Sequence, residues 1–270
     1  MIDVLILAVV QGIAEFLPIS SSGHLVLLGS ILRQLDDASM LAQQADSPTL
    51  EIILHGGTLG SIILIYWRKI LELVTRDRRV IGLLVVGTVP AGVLGVTIKV
   101  GFESVLKSVP LAATMLLVTA GMLFLLGRLP KREVQYRHLG WPGALLIGCF
   151  QAFAILPGIS RSGSTILGGR LLGLRPEDSV TFSFLLAIPA LLGATVLELK
   201  DVVGDHLSGQ SSGFPIAWLL LGAIVSFVFG VLALRWLIRW SRLDRLHWFA
   251  WWCLPAGLLM LGLWAAGVVS

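Results

Sequence analysis

Residues 8–24 read AVVQGIAEFLPISSSGH, and residues 148–164 read GCFQAFAILPGISRSGS. Each is an apolar run with one polar break in it. A shift of 140 residues lays the first on the second without a gap. Gln11 falls on Gln151 and Ala14 on Ala154. Ile19, Ser20, Ser22 and Gly23 fall on Ile159, Ser160, Ser162 and Gly163, which makes six identities in 17 positions. Apolar composition explains the Ala and Ile matches, but not Gln and Ser-x-Ser-Gly in one register. The chain therefore reads as an internal repeat, one copy over residues 1–128 and the other over 139–270.

Composition sets the surroundings of that repeat. Of 270 residues 56% are hydrophobic and 13% charged, and the mean hydropathy is +0.90. A soluble domain carries about 25% charged residues. The class is membrane, and the length suits a single membrane domain over 1–270. The charge of +4 and the pI of about 9.4 come from basic residues flanking apolar runs, where they set topology, so no nucleic-acid partner is expected. Cys149 and Cys253 lie far apart and form no CxxC pair, so neither a disulfide framework nor a thiolate metal site is expected. Asp3 stands where a signal peptide would carry basic residues, so the first apolar run is expected to stay in the protein.

A spanning helix needs about 20 apolar residues. Six segments qualify: 50–67, 80–98, 110–127, 179–198, 215–238 and 247–268. The two broken runs, 2–33 and 139–174, have arms too short to cross comfortably at 1.5 Å per residue. Non-helical backbone at membrane depth is tolerated only inside protein or facing water, so both are read as re-entrant helix pairs. Each half is then one re-entrant pair plus three spans. Three is odd, so the second half enters from the opposite side. The expected fold is an all-α polytopic membrane protein, six transmembrane helices plus two re-entrant pairs in an inverted-topology repeat.

The basic residues orient it. With the N-terminus outside, inner loops hold Arg68, Lys69, Arg76, Arg78, Arg79, Arg128, Lys131, Arg132, Arg137, Arg170, Arg175, Arg235, Arg239, Arg242 and Arg245, fifteen in all. The outer side holds Arg33, Lys99, Lys107 and Lys200, which is four. That excess favours this orientation. Trp67, Trp236, Trp240, Trp248, Trp251 and Trp252 fall near the inner span ends, as interfacial anchors do. The longer polar connections, 34–49 and 199–214, are both outside.

Ionisable side chains at membrane depth are costly, and each is a functional candidate. The short list is Glu15, His24, His55 and Arg161, with Glu51 at a span end. Pro18 and the pair Pro157-Gly158 interrupt helices, and a Ser-rich helix start follows each. The first N–H groups of those helices have no intrahelical partner and sit at the positive end of the dipole, which suits an anion. An inverted repeat brings two such ends together near the midplane. Arg161 adds a fixed charge suited to phosphate oxygens. The pattern reads as a phosphate cradle built from Ser20, Ser22, Ser160, Ser162 and Arg161.

Gln11 and Glu15 share a helix face, four residues apart. A carboxylate beside phosphate is sensible when it is protonated or when a hard divalent cation bridges them, with Gln11 and substrate phosphates as further ligands. His24, four residues after Ser20 and three after Ser21, is placed for a base beside a hydroxyl. Structural readings stand beside these: helix capping and close packing for the serines, a plain ion pair for Glu15 and Arg161, interior histidines at His24 and His55, and a helix-carbonyl bond for Thr165.

Two stretches carry a family resemblance. Gln11-x-x-x-Glu15-Phe16-Leu17-Pro18-x-Ser20-Ser21-x-Gly23-His24 resembles the first signature of the bacterial undecaprenyl-diphosphate phosphatases of the bacitracin-resistance type. Pro157-Gly158-Ile159-Ser160-Arg161-Ser162-Gly163-Ser164-Thr165 resembles their second. The resemblance implies hydrolysis of undecaprenyl diphosphate to undecaprenyl phosphate and phosphate, lipid-carrier recycling for peptidoglycan synthesis, and bacitracin resistance. It implies a bacterial inner (plasma) membrane location, a polyprenyl diphosphate substrate among membrane lipids, and a divalent cation, Mg or Ca. A homodimer is compatible with it. Its leading acid is Glu or Gln; here Gln11 stands, which leaves Glu15 as the main acid at this motif. Carried onto this chain, Glu15 acts on the metal or in acid–base work. Ser21 is the candidate nucleophile with His24 as partner, Arg161 binds phosphate, and Ser160 and Thr165 position phosphate oxygens; Ser21, His24 and water all remain open as the attacking group. The alternative function is a transporter or flippase of an anionic polyprenyl phosphate carrier, since inverted repeats are common in transporters.

Overall fold

The computed structural model describes residues 2–26, 48–101, 106, 108–207 and 216–269. These residues are all-helical, with no strand among them beyond one isolated bridge, Val134 to Leu174. In chain order the α-helices are α1 (Ile2–Ala14), α2 (21–26), α3 (Pro48–Thr75), α4 (Arg78–Gly101) and α5 (Val109–Arg128), then α6 (Trp141–Phe153), α7 (Arg161–Leu171), α8 (Pro176–Leu207), α9 (Ile216–Arg242) and α10 (Ala250–Ala265). Short 3-10 turns at Tyr136–His138 and Leu246–Phe249 precede α6 and α10.

Among the described residues six helices are long and apolar enough to cross a membrane: Thr49–Thr75, Arg78–Ile98, Val109–Arg128, Pro176–Val196, Ala217–Arg242 and Leu246–Ala265. They match the six expected segments. α1, α6 and α7, at 13, 13 and 11 residues, are too short to cross a hydrocarbon core of about 30 Å at 1.5 Å per residue. One boundary expectation fails. Residues 199–207 were read as an outer polar connection, but α8 runs helically to Leu207, because Glu198, Lys200 and Asp201 do not interrupt a helix once it is started. Residues 27–47, which hold most of the other connection and the end of the first broken run, lie outside the described residues.

The helices start and stop for local reasons. Gly140 precedes α6 with Pro142 in its first turn, and Pro176 opens α8 with Glu177 and Asp178 behind it, acids at a positive helix end. Arg239 and Arg242 end α9 at its negative end. Pro90, Pro189 and Pro255 lie inside helices, where neighbours in a membrane bundle can satisfy the freed carbonyls.

Packing is pairwise. α9 lies on α3 and α1, α6 on α4, α10 on α5, and α8 on both α3 and α7. Phe16, Ile62, Tyr66, Phe182, Phe184 and Leu186 form the centre of the core, with the Phe16 and Phe184 rings 5.5 Å apart. On α4, Val85, Val89 and Val93 are exposed along one stripe; an apolar outer face of this kind is what lipid requires of a spanning helix. α7 is the opposite case. Its residues 162–170 are all buried and include Ser162, Ser164, Thr165 and Arg170. A helix this polar is stable here only because other helices surround it.

The end of the bundle rich in basic residues is clasped by polar bonds. Arg79 donates to the Arg137 and Leu139 carbonyls, Arg137 pairs with Glu72 and Asp77, and Arg170 reaches Asp244 at 3.4 Å and the Leu129 and Pro130 carbonyls. These fix the 129–140 connection against α3, α4 and α7.

Candidate active site

The site begins where α1 and α6 stop. At the first break the chain turns at Pro18 and α2 starts after Ser20, whose Oγ accepts from Gly23 N at 3.2 Å. At the second it turns at Gly158 and α7 starts after Ser160, whose Oγ accepts from Gly163 N at 3.1 Å. Both serines act as N-caps, satisfying a donor that the helix leaves free. Ser20 and Ser22 hydroxyls lie 3.4 Å apart, and Ser160 and Ser162 hydroxyls 3.3 Å.

The two breaks cross at close range. A Cβ on Gly23 would lie 2.8 Å from Gly158 Cα, and one on Gly163 would lie 3.3 Å from Pro18 Cβ. Gly23 matches Gly163 and Pro18 matches Gly158 under the 140-residue shift, so these are the same contact made twice. Gly158 sits at φ 93° with the α5 backbone against it, leaving no room for a side chain. Thr119 of α5 pins this turn: its hydroxyl donates to Gly158 O at 2.7 Å and accepts from Ser160 N at 3.0 Å. Cys253 of α10 holds the other turn more loosely, its thiol 3.7 Å from Pro18 O.

The crossing joins Glu15 to Arg161. Glu15 Oε1 receives Arg161 Nη2 at 3.1 Å. Glu15 Oε2 receives Gln11 Nε2 at 3.1 Å and the Ser21 hydroxyl at 3.0 Å, with His55 Nε2 at 3.9 Å. An ion pair in such surroundings adds little net stability, but losing one partner strands the other charge. Arg161 Nη1, His55 Nδ1 and both amide atoms of Gln151 are buried with no partner among the described residues.

Beside the pair lies a cavity of about 470 Å³. Its polar wall is Glu15, Ser20, Ser21, Ser22, Glu51, His55, Gln151, Ser160 and Arg161. Its other wall, from α4 and α8, is small and apolar: Ala91, Gly92, Gly95, Val96, Gly193 and Ala194. A group with a charged head and an apolar tail matches both walls.

Several expected residues meet here: Glu15, Ser20, Ser21, Ser22, Ser160 and Arg161 all line the cavity. Others do not. His24 was expected beside Ser21. Instead its Nδ1 donates to Ser20 O at 2.8 Å, and its Nε2 accepts from Trp252 Nε1 at 2.9 Å, so the ring turns toward α10 and Ser21 faces Glu15. Of the two readings of Thr165, phosphate positioning and a bond to its own helix carbonyl, the structure shows the second. Its hydroxyl donates to Arg161 O at 2.8 Å and meets Ser183 Oγ, which ties α7 to α8. Ser162 is buried behind Ser160, and Gln11 reaches the site only through Glu15. His55 and Glu51, which stand among the ionisable candidates, also line the cavity, whereas Thr119 and Gln151 were not expected as site residues. The signal for Gln151 was its match to Gln11; Thr119 had none.

Among the described residues no three His, Cys, Asp or Glu side chains converge as a metal site. Two carboxylates, Glu15 and Glu51, do share the cavity. That donor set fits a hard cation taking its remaining ligands from phosphate oxygens and water, as magnesium commonly does.

The family described as bacitracin resistance protein BacA matches residues 4–259. An undecaprenyl-diphosphatase of Rhodopirellula baltica is 62% identical over 261 residues, 97% of each chain. One from Alkaliphilus metalliredigens is 35% identical over 95% of this chain and 96% of its own. One from Methanosphaera stadtmanae is 33% identical over 97% of this chain and 98% of its own.

Proposed function

The chain belongs to the bacitracin resistance protein BacA family, and from that premise we propose that it hydrolyses undecaprenyl diphosphate to undecaprenyl phosphate and phosphate. Lipid-carrier recycling for peptidoglycan synthesis and bacitracin resistance go with that reaction. The observation that carries the reading is the Glu15 carboxylate held between Ser21 and Arg161 where the two broken helices cross. The charged wall takes the diphosphate, and the wall of Gly92, Gly95, Gly193 and Ala194 admits the first prenyl units.

Ser21 Oγ is the nucleophile in this reading. Its hydrogen already points at Glu15 Oε2, which is the arrangement of a hydroxyl beside its base. Oγ attacks the terminal phosphorus and its proton passes to Glu15. The bond from that phosphorus to the bridging oxygen breaks, and the electron pair leaves on undecaprenyl phosphate. Glu15 gives that proton to the departing undecaprenyl phosphate; water then attacks the phosphoserine phosphorus and passes a proton to Glu15, the bond from phosphorus to Ser21 Oγ breaks, and Glu15 returns the proton to Oγ as phosphate leaves. Arg161 offsets the charge on the transferring group. A divalent cation, Mg or Ca, held by Glu15 and Glu51, would neutralise phosphate charge.

The architecture is read as an inverted-topology repeat with two re-entrant pairs, α1 with α2 and α6 with α7. The doubled Gly23–Gly158 and Gly163–Pro18 contact supports it, because a two-fold relation makes each contact twice. So does the placement of α1 on α9 and α6 on α4. The N-terminus lies outside and the chain sits in the bacterial inner membrane in this reading, on the excess of basic residues at one end.

The test is phosphate release from undecaprenyl diphosphate by the purified protein in detergent, with and without Mg or Ca, for wild type and Arg161→Ala. Metal-dependent release that the variant loses is expected. A well-folded wild type with no release overturns the reading in favour of a lipid transporter.

A further inference from the structure

Gln11 and Gln151 occupy matching positions, and both are buried, at 4% and 3% exposure. Their surroundings differ at the residue one helical turn on. Four positions on from Gln11 is Glu15, and the Gln11 amide donates to it at 3.1 Å. Four positions on from Gln151 is Ile155, which offers nothing to an amide. The helix geometry that satisfies one glutamine leaves the other with Nε2 and Oε1 unpartnered among the described residues.

An unpartnered buried amide costs stability, whereas an apolar side chain of the same shape there would be near neutral or better. The core packing around Gln151 gives no reason for an amide. The cavity does, since Gln151 lines it together with Arg161, whose Nη1 is also unpartnered. Arg161 Nη2 is held by Glu15, so one face of the guanidinium is occupied and the other is spare. A spare cationic donor and a spare neutral donor on one cavity wall match the non-bridging oxygens of a phosphate group.

We propose that Gln151 is a substrate-binding residue, its Nε2 donating to a non-bridging oxygen of the diphosphate beside Arg161 Nη1, and its Oε1 accepting from a water or a protonated phosphate oxygen. This rests on the reading of the cavity as a prenyl diphosphate site. The amide atoms are closed from water in this state, so the contact forms by rotation about the side chain's own torsions toward the cavity. The repeat has then put one glutamine to two uses: Gln11 orients the acid and Gln151 meets the ligand.

The test uses the full chain in detergent, with farnesyl diphosphate as substrate and its non-hydrolysable methylene diphosphonate analogue as binding probe. Gln151→Met keeps length and removes the polar atoms. Its melting temperature without ligand is expected to equal or exceed that of wild type. Its kcat/KM is expected to fall by about 10- to 100-fold, as for one lost hydrogen bond to a charged group. The thermal shift produced by the analogue should shrink in parallel. Gln151→Asn, which keeps the amide but withdraws it, should lie between the two, and gives the answer if the methionine variant fails to fold. A variant with wild-type kcat/KM and the full thermal shift overturns the proposal. So does a lowered melting temperature with an undiminished shift, which assigns Gln151 to packing. If wild type binds the analogue but releases no phosphate, the phosphatase reading falls while the shift still tests Gln151. If wild type turns over and the methionine variant matches it, only this proposal falls.

Discussion

At the first break the chain turns through Pro18 and Ile19 into Ser20, which takes the left-handed region at φ 67°; at the second it turns through Gly158 at φ 93°, and Ser160 lies at φ −73°. The cause is one residue. Proline cannot hold a positive φ, so where Pro18 replaces the glycine the left-handed residue moves two positions along, onto a serine. The chemistry diverges in the same way. The first break carries Glu15 and Ser21, and the matching positions of the second carry Ile155 and Arg161. One break supplies the acid and the hydroxyl and the other supplies the cation, so the two ends of the Glu15–Arg161 pair come from different breaks. The two breaks have related sequences, and their point differences give the site its polarity.

The sharpest way to break this comparison is to remove the cation from its half. Arg161→Ala should lower kcat/KM for a prenyl diphosphate by about 10³-fold, near 4 kcal/mol, measured as phosphate release. Activity within tenfold of wild type would place the phosphate elsewhere. Ser21→Ala, at the matching position, should lower kcat by about 100-fold or more and abolish any phosphoserine trapped by acid quench. A variant that turns over normally would make water the nucleophile, with Glu15 as its base.

Next come the residues that pin the turns. Thr119→Val leaves Gly158 O and Ser160 N without their partner and should cost about 2 kcal/mol or more, read as a lowered melting temperature. Cys253→Ala, on the looser side, should cost about 1 kcal/mol, mostly as a small cavity. Equal losses would mean that both turns are held alike. His24→Gln should change kcat/KM by less than about tenfold, since its ring faces Trp252 and not the cavity. A larger loss would restore His24 to the chemistry.

The smallest effect has opposite signs at the two breaks. Ser20→Gly relieves a left-handed serine worth about 1–2 kcal/mol and gives up a cap that glycine replaces within a few tenths, so the melting temperature should rise slightly. Ser160→Gly relieves nothing and adds unfolded-state freedom worth about 0.4–1 kcal/mol, so it should fall. Two shifts of the same sign would refute the account of why the turns differ.

Much of this was legible in the chain. Glu15 and Arg161 stood out because charge at membrane depth is costly and must have a partner. The serines stood out because they follow a helix-stopping proline or glycine. His24 and Thr165 misled for a common reason: each carries a useful group at the right spacing along its helix. Spacing says which residues share a helix face, and it does not say which neighbour that face meets. His24 turned to Trp252, 228 positions away, and Thr165 to Ser183 on the next helix.

The sequence by itself determined the membrane class, the six spans, the place of the two breaks and the identity of the acid and the cation. These follow from composition, length and helix-breaking residues, which act locally. The tertiary structure decided that the breaks cross at Gly23 and Gly158, that Ser21 rather than His24 faces Glu15, that Thr119 locks one turn, and that Gln151 is left without a partner. Those depend on how helices far apart in the chain pack against one another, and no local preference encodes a contact between residues that meet only when the bundle closes.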